Sequence, residues 1–210
     1  MGTRRFVLLL FGLVLFFSSA FAGWDKKPEF RWTQFYRWDR HFDSDGIYSN
    51  RFSLSLGYLD GKKQPLFKLM PFFEMRRNLD ADLWERRELG VEIGKDILPW
   101  LYLGESIQQV WKNEEWIKPQ HYEKENTVEA KTRLALSRRF FEKNSFYLKG
   151  FIIDEYTYDT DEGSGMRNEI MIGASAPLGK HWEAGLNWRH IDRIHYFDTD
   201  TFEAFATLVF

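Results

Sequence analysis

Thr201-Phe-Glu-Ala-Phe-Ala-Thr-Leu-Val-Phe210 closes the chain, and its apolar residues Phe202, Ala204, Ala206, Leu208 and Phe210 fall on every second position. A strand sends successive side chains to opposite faces, so this spacing puts all five on one face. Thr201, Glu203 and Thr207 go to the other. A strand of this length that is apolar on one side and ends on an exposed aromatic needs an apolar medium along that side.

Working back from this strand, the same period recurs every 15 to 20 residues or so, as a barrel requires. The pattern predicts strands over 29–40, 47–59, 66–76, 83–95, 100–111, 127–139, 146–158, 166–178 and 182–192, which with the last makes ten. Turn residues separate them, among them Asp43-Ser-Asp-Gly46, Asp60-Gly61, Glu142-Lys-Asn-Ser145 and Gly179-Lys180. Pro71 lies inside the third strand, where its missing N–H predicts an irregularity. Glu105 interrupts the apolar face of the fifth and predicts a bulge or a slip. The seventh is the least regular, with Lys149 and Glu155 placing its odd positions on the polar face. If both ends lie on one side, the even-numbered links fall on that side and are all short. The longest link, 112–126, falls on the other, as membrane barrels require.

The opposite end of the sequence agrees. Arg4 and Arg5 precede an apolar run from Phe6 to Phe17, and Ser18-Ser-Ala-Phe-Ala22 supplies small residues for cleavage. This is the layout of an export signal, with residues 1–22 removed and Gly23 the first mature residue. The apolar run is too short for a membrane helix. With no cysteine anywhere, there is neither a lipid attachment site after the leader nor a disulfide framework. Residues 23–210 then form one domain.

Composition fits the same picture. A formal net charge of −2 argues against a nucleic-acid partner. The mean hydropathy of −0.47 is low for a membrane protein, but a barrel shows lipid only alternate residues. Aromatic residues make up 18% of the chain, and Trp and Tyr favour bilayer interfaces. A soluble barrel or sandwich has the same period, but would turn this charge-rich face to water.

On these residues the chain resembles a small bacterial outer-membrane β-barrel of an uncharacterised family. The likeness rests on the leader and on the last strand. It implies an antiparallel barrel of about ten strands in the outer membrane, in contact with lipid and lipopolysaccharide. It also implies that the barrel-assembly machinery reads the last strand through Phe202, Leu208 and Phe210. It carries no activity with it and leaves the oligomeric state open.

The polar faces hold the rest of the information. The inward set contains Arg51, Glu74, Arg76, Arg86, Glu88, Glu92, Glu129, Lys131, Arg133, Arg167, Glu169, Glu183, Arg189 and Glu203, with Arg31, Arg37 and Lys68 beside them. Acids and bases are nearly balanced, and opposite charges on neighbouring strands lie close enough to pair. The leading expectation is therefore a lumen plugged by ion pairs, with a structural or surface-interaction role. The alternative is a narrow channel for small hydrophilic solutes. Its one hint is the set of inward glycines at 57, 90, 94, 104, 173 and 185, which leave room.

A lipid-modifying enzyme is the third reading, and its motifs are missing. The residues two beyond the five histidines are Asp43, Glu123, Glu183, Asp192 and Phe197, never the serine that an imidazole would activate. No G-x-S-x-G occurs. His190, Asp192, His195 and Asp198 form a rim group of the kind usually found solvated. Acids gather at the turns Asp43/Asp45, Asp80/Asp82, Asp159/Asp161/Glu162 and Asp198/Asp200. Only the opening of Asp159-Thr-Asp-Glu-Gly163 resembles a calcium loop. Asp is frequent in turns because its side chain caps the backbone. No catalytic residue, metal or cofactor is predicted.

Overall fold

A computed structural model describes residues 28–39, 46–59, 65–113, 126–143, 146–194 and 198–210. The predicted leader lies outside them. Ten strands follow one another: β1 (Glu29–Asp39), β2 (Ile47–Leu59), β3 (Pro65–Asn78), β4 (Leu83–Leu98), β5 (Leu101–Lys112), β6 (Asn126–Lys143), β7 (Phe146–Asp159), β8 (Ser164–Pro177), β9 (Trp182–Arg193) and β10 (Thr199–Val209). Each pairs antiparallel with its sequence neighbours, and β1 pairs with β10 to close the barrel. The fold is thus a closed antiparallel barrel of ten strands, as the periodicity predicts. Closure leaves no edge strand open to another chain.

The seam shows why the last residue matters. The N–H of Phe210 donates to the carbonyl of Phe30 at 3.0 Å, and that of Phe30 to Phe210 at 3.3 Å. Their rings lie 5.7 Å apart. This end of the barrel carries both chain ends and is called the terminal rim below; the other is the far rim. The strand ends Leu59, Leu98, Leu101, Lys143, Phe146, Pro177 and Trp182 lie at the terminal rim, and Lys112 and Asn126, which flank the longest link, lie at the far rim.

The alternation sorts side chains as predicted. Phe202, Ile170, Ile172, Leu103, Ile107, Leu134 and Leu186 are exposed on the outer wall, whereas Glu88, Glu129, Thr157 and Glu203 are almost wholly buried inside. On β7 the odd positions Glu155, Thr157 and Asp159 are the buried ones. Trp38, Tyr48, Trp84, Trp111 and Tyr158 each sit one residue in from the far end of their strand. Phe30, Tyr58, Trp100, Trp182 and Phe210 collect at the other rim. Two aromatic girdles with an aliphatic band between them result.

Two local expectations resolve differently. Opposite Pro71 and Met70, the β2–β3 pairing lapses at Leu54 and Ser55 and resumes at Leu56 in the same register. The proline therefore interrupts the ladder without shifting it. Glu105 produces neither bulge nor slip. β5 and β6 pair without a register shift, and Glu105 stays on the outer wall, accepting a 3.0 Å hydrogen bond from Thr132. Moving it inward by one residue would reverse every side chain of β5, a far larger penalty than one exposed acid. A bulge that the alternation does not predict lies at Glu85: Arg76 faces Arg86 while Arg77 faces Trp84.

Two far-rim turns show what their polar residues do. Asn78 Oδ1 accepts the N–H groups of Asp80 and Ala81. Asp159 Oδ1 accepts those of Asp161 and Glu162. The opening of the apparent calcium loop is thus a backbone cap, and among the described residues no three metal-ligating side chains gather.

Candidate functional site: the charged lumen

Every second residue of each strand enters the lumen, so a closed barrel of ten strands gathers its ionic side chains in a small, buried volume. There they cannot remain unpaired, because an isolated buried charge costs several kcal/mol. The structure joins them into one network.

Eight links of that network close on themselves. Glu88 meets Arg76 at 3.2 Å, Arg76 meets Glu74 at 2.8 Å, and Glu74 meets Arg51 at 3.6 Å. Arg51 reaches Glu92 at 3.8 Å, and Glu92 meets Arg133 at 3.3 Å. Arg133 holds Glu155 at 2.6 Å, Glu155 meets Lys131 at 3.4 Å, and Lys131 returns to Glu88 at 3.8 Å. The signs alternate all the way round.

A branch leaves the ring at Glu88 and runs along the other wall. Arg86 bonds Glu88 at 2.5 Å and Glu129 at 2.6 Å, and Arg167 links Glu129 at 3.6 Å to Glu169 at 2.6 Å. Arg189 joins Glu169 at 2.6 Å to Glu203 at 3.2 Å, and Arg37 ends the branch on Glu203 at 2.8 Å. β5 has no charge here but supplies Gln108, which donates to Glu88 at 3.0 Å and to Glu129 at 3.1 Å. All ten strands therefore contribute.

Of the fourteen lumen residues predicted, thirteen enter this network. The exception is Glu183, nearer the terminal rim, which accepts a 2.5 Å hydrogen bond from Ser175 and lies 3.9 Å from Lys149. Arg37, already placed with the inward set, and Glu155, already placed on the polar face of its strand, also belong to the network; Gln108, which carries no charge, is the one member that charge pairing could not find. Arg31 pairs at 2.5 Å with Glu29 on its own strand and is exposed, and Lys68 meets Asp96 at 2.7 Å near the terminal rim.

Below the ion pairs, toward the terminal rim, aromatic rings point into the lumen and pack on one another. Phe205 packs 6.2 Å from Phe35 and 6.0 Å from Phe151. The Arg51 guanidinium sits 4.1 Å above Phe72, joining the two layers. The inward glycines make this packing possible. A Cβ on Gly173 would stand 2.5 Å from Phe151, and one on Gly185 would stand 2.4 Å from Phe205. Gly90 admits Phe72 in the same way, and Gly94 and Gly104 admit Tyr102. Tyr102 in turn donates a 2.6 Å hydrogen bond to Glu92. At four of these five positions the space a glycine leaves is taken by a ring from a neighbouring strand, and at Gly104 by Tyr102 of its own strand.

The rim histidine is differently arranged from the predicted group. His190 Nδ1 lies 2.9 Å from Asp200, not Asp192, and its ring stacks on Trp188 at 5.9 Å. Asp192 is exposed on the outer wall, and His195 falls outside the described residues. Of the three residues expected to form an assembly signal, Phe202 and Leu208 lie on the outer wall and Phe210 lies at the seam.

An aliphatic outer band between aromatic girdles, a closed antiparallel ladder and an ionic interior define the architecture of a small barrel of the outer-membrane type. No family model matches the chain, and no curated protein matches it. Among solved structures it is similar to a KdgM porin, at 8% identity over 85% of this chain and 98% of that one, with a TM-score of 0.43. It is similar to a NanC porin at 9% identity over 85% and 98%, TM-score 0.42. A bacterial polysaccharide outer membrane secretin matches at 14% identity over 88% and 70%, TM-score 0.47. The likeness lies in the barrel wall, and so low an identity transfers no ligand.

Proposed function

We propose that this chain is an outer-membrane barrel whose lumen is plugged, serving a structural or surface-interaction role and conducting no solute. The terminal rim then faces the periplasm and the far rim the exterior, after removal of residues 1–22. Its partners are membrane lipid, lipopolysaccharide and, through β10, the barrel-assembly machinery. The observation that carries the plug is the ring of alternating charges from Glu88 back to Glu88, with phenyl rings packed beneath it. A selective pore is better served by a ring of one sign lining open water.

Planar-bilayer recording tests the reading. The purified barrel should insert without discrete current steps. Steps whose ion selectivity changes on replacing Arg86 or Arg133 would replace the plug with a narrow channel. Lipid hydrolysis or acyl transfer abolished by His190→Ala would replace both with an enzyme.

The membrane itself has a separate test. Glu105 and Asp154 are exposed on the outer wall among Leu103, Ile107, Leu134 and Ile170. In lipid an outward acid is a liability, in water an asset. Glu105→Leu should therefore raise the unfolding free energy in lipid vesicles by about 1–2 kcal/mol. A loss of stability and solubility would mean that this wall faces water.

A further inference from the structure

The bulge at Glu85 re-aims one side chain at the far rim. Because Arg77 faces Trp84 rather than Glu85, an indole takes a place on the outer wall that an acid would otherwise hold. The Arg77 guanidinium lies 6.0 Å from the Trp84 ring centroid. On the neighbouring strand Trp111 pairs with Arg87. Both indoles line a cleft of about 440 Å³, together with Leu83, Arg86, Arg87, Lys112 and Asn113.

Charge around the cleft is unevenly committed. Arg86 is held by Glu88 and Glu129, and Arg77 by Asp82. Among the described residues Glu85, at the bulge, is the next acid along β4 and is itself engaged. Arg87 is exposed and makes no ion pair among the described residues. The cleft therefore offers flat aromatic faces and an available guanidinium, backed by further positive charge. An indole face accepts the C–H side of a sugar ring, and a guanidinium fork matches two phosphate oxygens. Both tryptophans sit one residue from the far end of their strands, level with Trp38 and Tyr158 in the far girdle. A ligand at that depth has its acyl chains beside the aliphatic band and its head group at the cleft.

We infer that the Trp84–Arg87–Trp111 cleft binds the phosphorylated sugar head group of a glycolipid in the outer leaflet. This rests on the outer-membrane reading above. Arg87 supplies the phosphate contact, and the two indoles hold the sugar.

Native mass spectrometry of the detergent-purified barrel tests it, with a diphosphorylated, acylated glucosamine disaccharide as the probe. One equivalent should be retained at least tenfold better than the same lipid without phosphates, and better than phosphatidylglycerol. Arg87→Ala and Trp84→Ala should each lower retention about tenfold, while Arg138→Ala at the terminal rim leaves it unchanged. Equal retention of phosphatidylglycerol, or indifference to Arg87→Ala, would overturn the site. Equal binding of the deacylated phosphosugar would also overturn it, by making the ligand a soluble glycan. Heat-modifiable migration and insertion into vesicles, read on the same variants, report the outer-membrane assignment independently. A barrel that inserts but shows no selectivity disproves only the cleft, whereas one that does not insert disproves the assignment beneath it.

Discussion

Glu88→Ala should destabilise the barrel by about 3–5 kcal/mol, the range for removing one partner from a buried ion pair. Glu88 is 1% exposed and is the point where the ring and the branch meet. Arg76, Arg86 and Lys131 converge on its carboxylate, with the amide of Gln108. Removing it leaves three bases with fewer counter-charges and opens the ring. Arg86 keeps Glu129, Arg76 keeps Glu74 and Lys131 keeps Glu155, which keeps the loss from being larger. Glu88→Gln retains the acceptor oxygen without the charge and should fall between Glu88→Ala and the unaltered chain. Glu183→Ala provides the contrast. Its side chain is 25% exposed and meets Lys149 only at 3.9 Å, so its loss should cost less than about 1 kcal/mol. Urea unfolding in lipid vesicles, followed by tryptophan emission, measures all three. Equal effects at positions 88 and 183 would mean that the network is a collection of separate pairs.

That contrast also shows where the sequence stops being informative. Period two separates lumen from outer wall because it depends on the strand alone. It placed Glu74, Glu88 and Glu203 inside, and Phe202 and Leu208 outside, without knowledge of any partner. Partner choice depends on strand tilt and stagger, which no single strand records. Glu129 on β6 is joined to Arg86 on β4 and to Arg167 on β8, each skipping a strand, so a rule about neighbouring strands cannot find these links. The glycines were misleading for a related reason. Gly173 and Gly185 read as empty space until register sets Phe151 and Phe205 against them. His190 likewise takes Asp200 as its partner because β9 and β10 pair those two residues directly. Asp192, two positions along the same strand, is nearer in sequence and farther from the ring nitrogen.

Deleting Phe210 should lower the amount of inserted barrel in cells several-fold while changing the stability of the refolded protein far less. At the seam the residue contributes two backbone hydrogen bonds with Phe30 and one ring contact. An intramolecular hydrogen bond is worth about 0.5–1.5 kcal/mol net, and an aromatic pair adds a similar amount. The ring is 66% exposed, and β1 and β10 still pair from Arg31–Val209 to Asp39–Thr201 without it. The finished barrel therefore loses one end of a long ladder. In a chain not yet closed the balance is different. β10 is then an open edge, and its outward residues Phe202, Leu208 and Phe210 are the apolar row that an assembly machine can read before β1 covers the edge. Two measurements on the same variant separate these roles: the heat-modifiable fraction in cell envelopes, and the urea midpoint after refolding into vesicles. A large fall in the first with a small fall in the second assigns Phe210 to assembly. Parallel falls would make it a closure residue, and no fall in either would remove the terminal aromatic from any part in barrel formation.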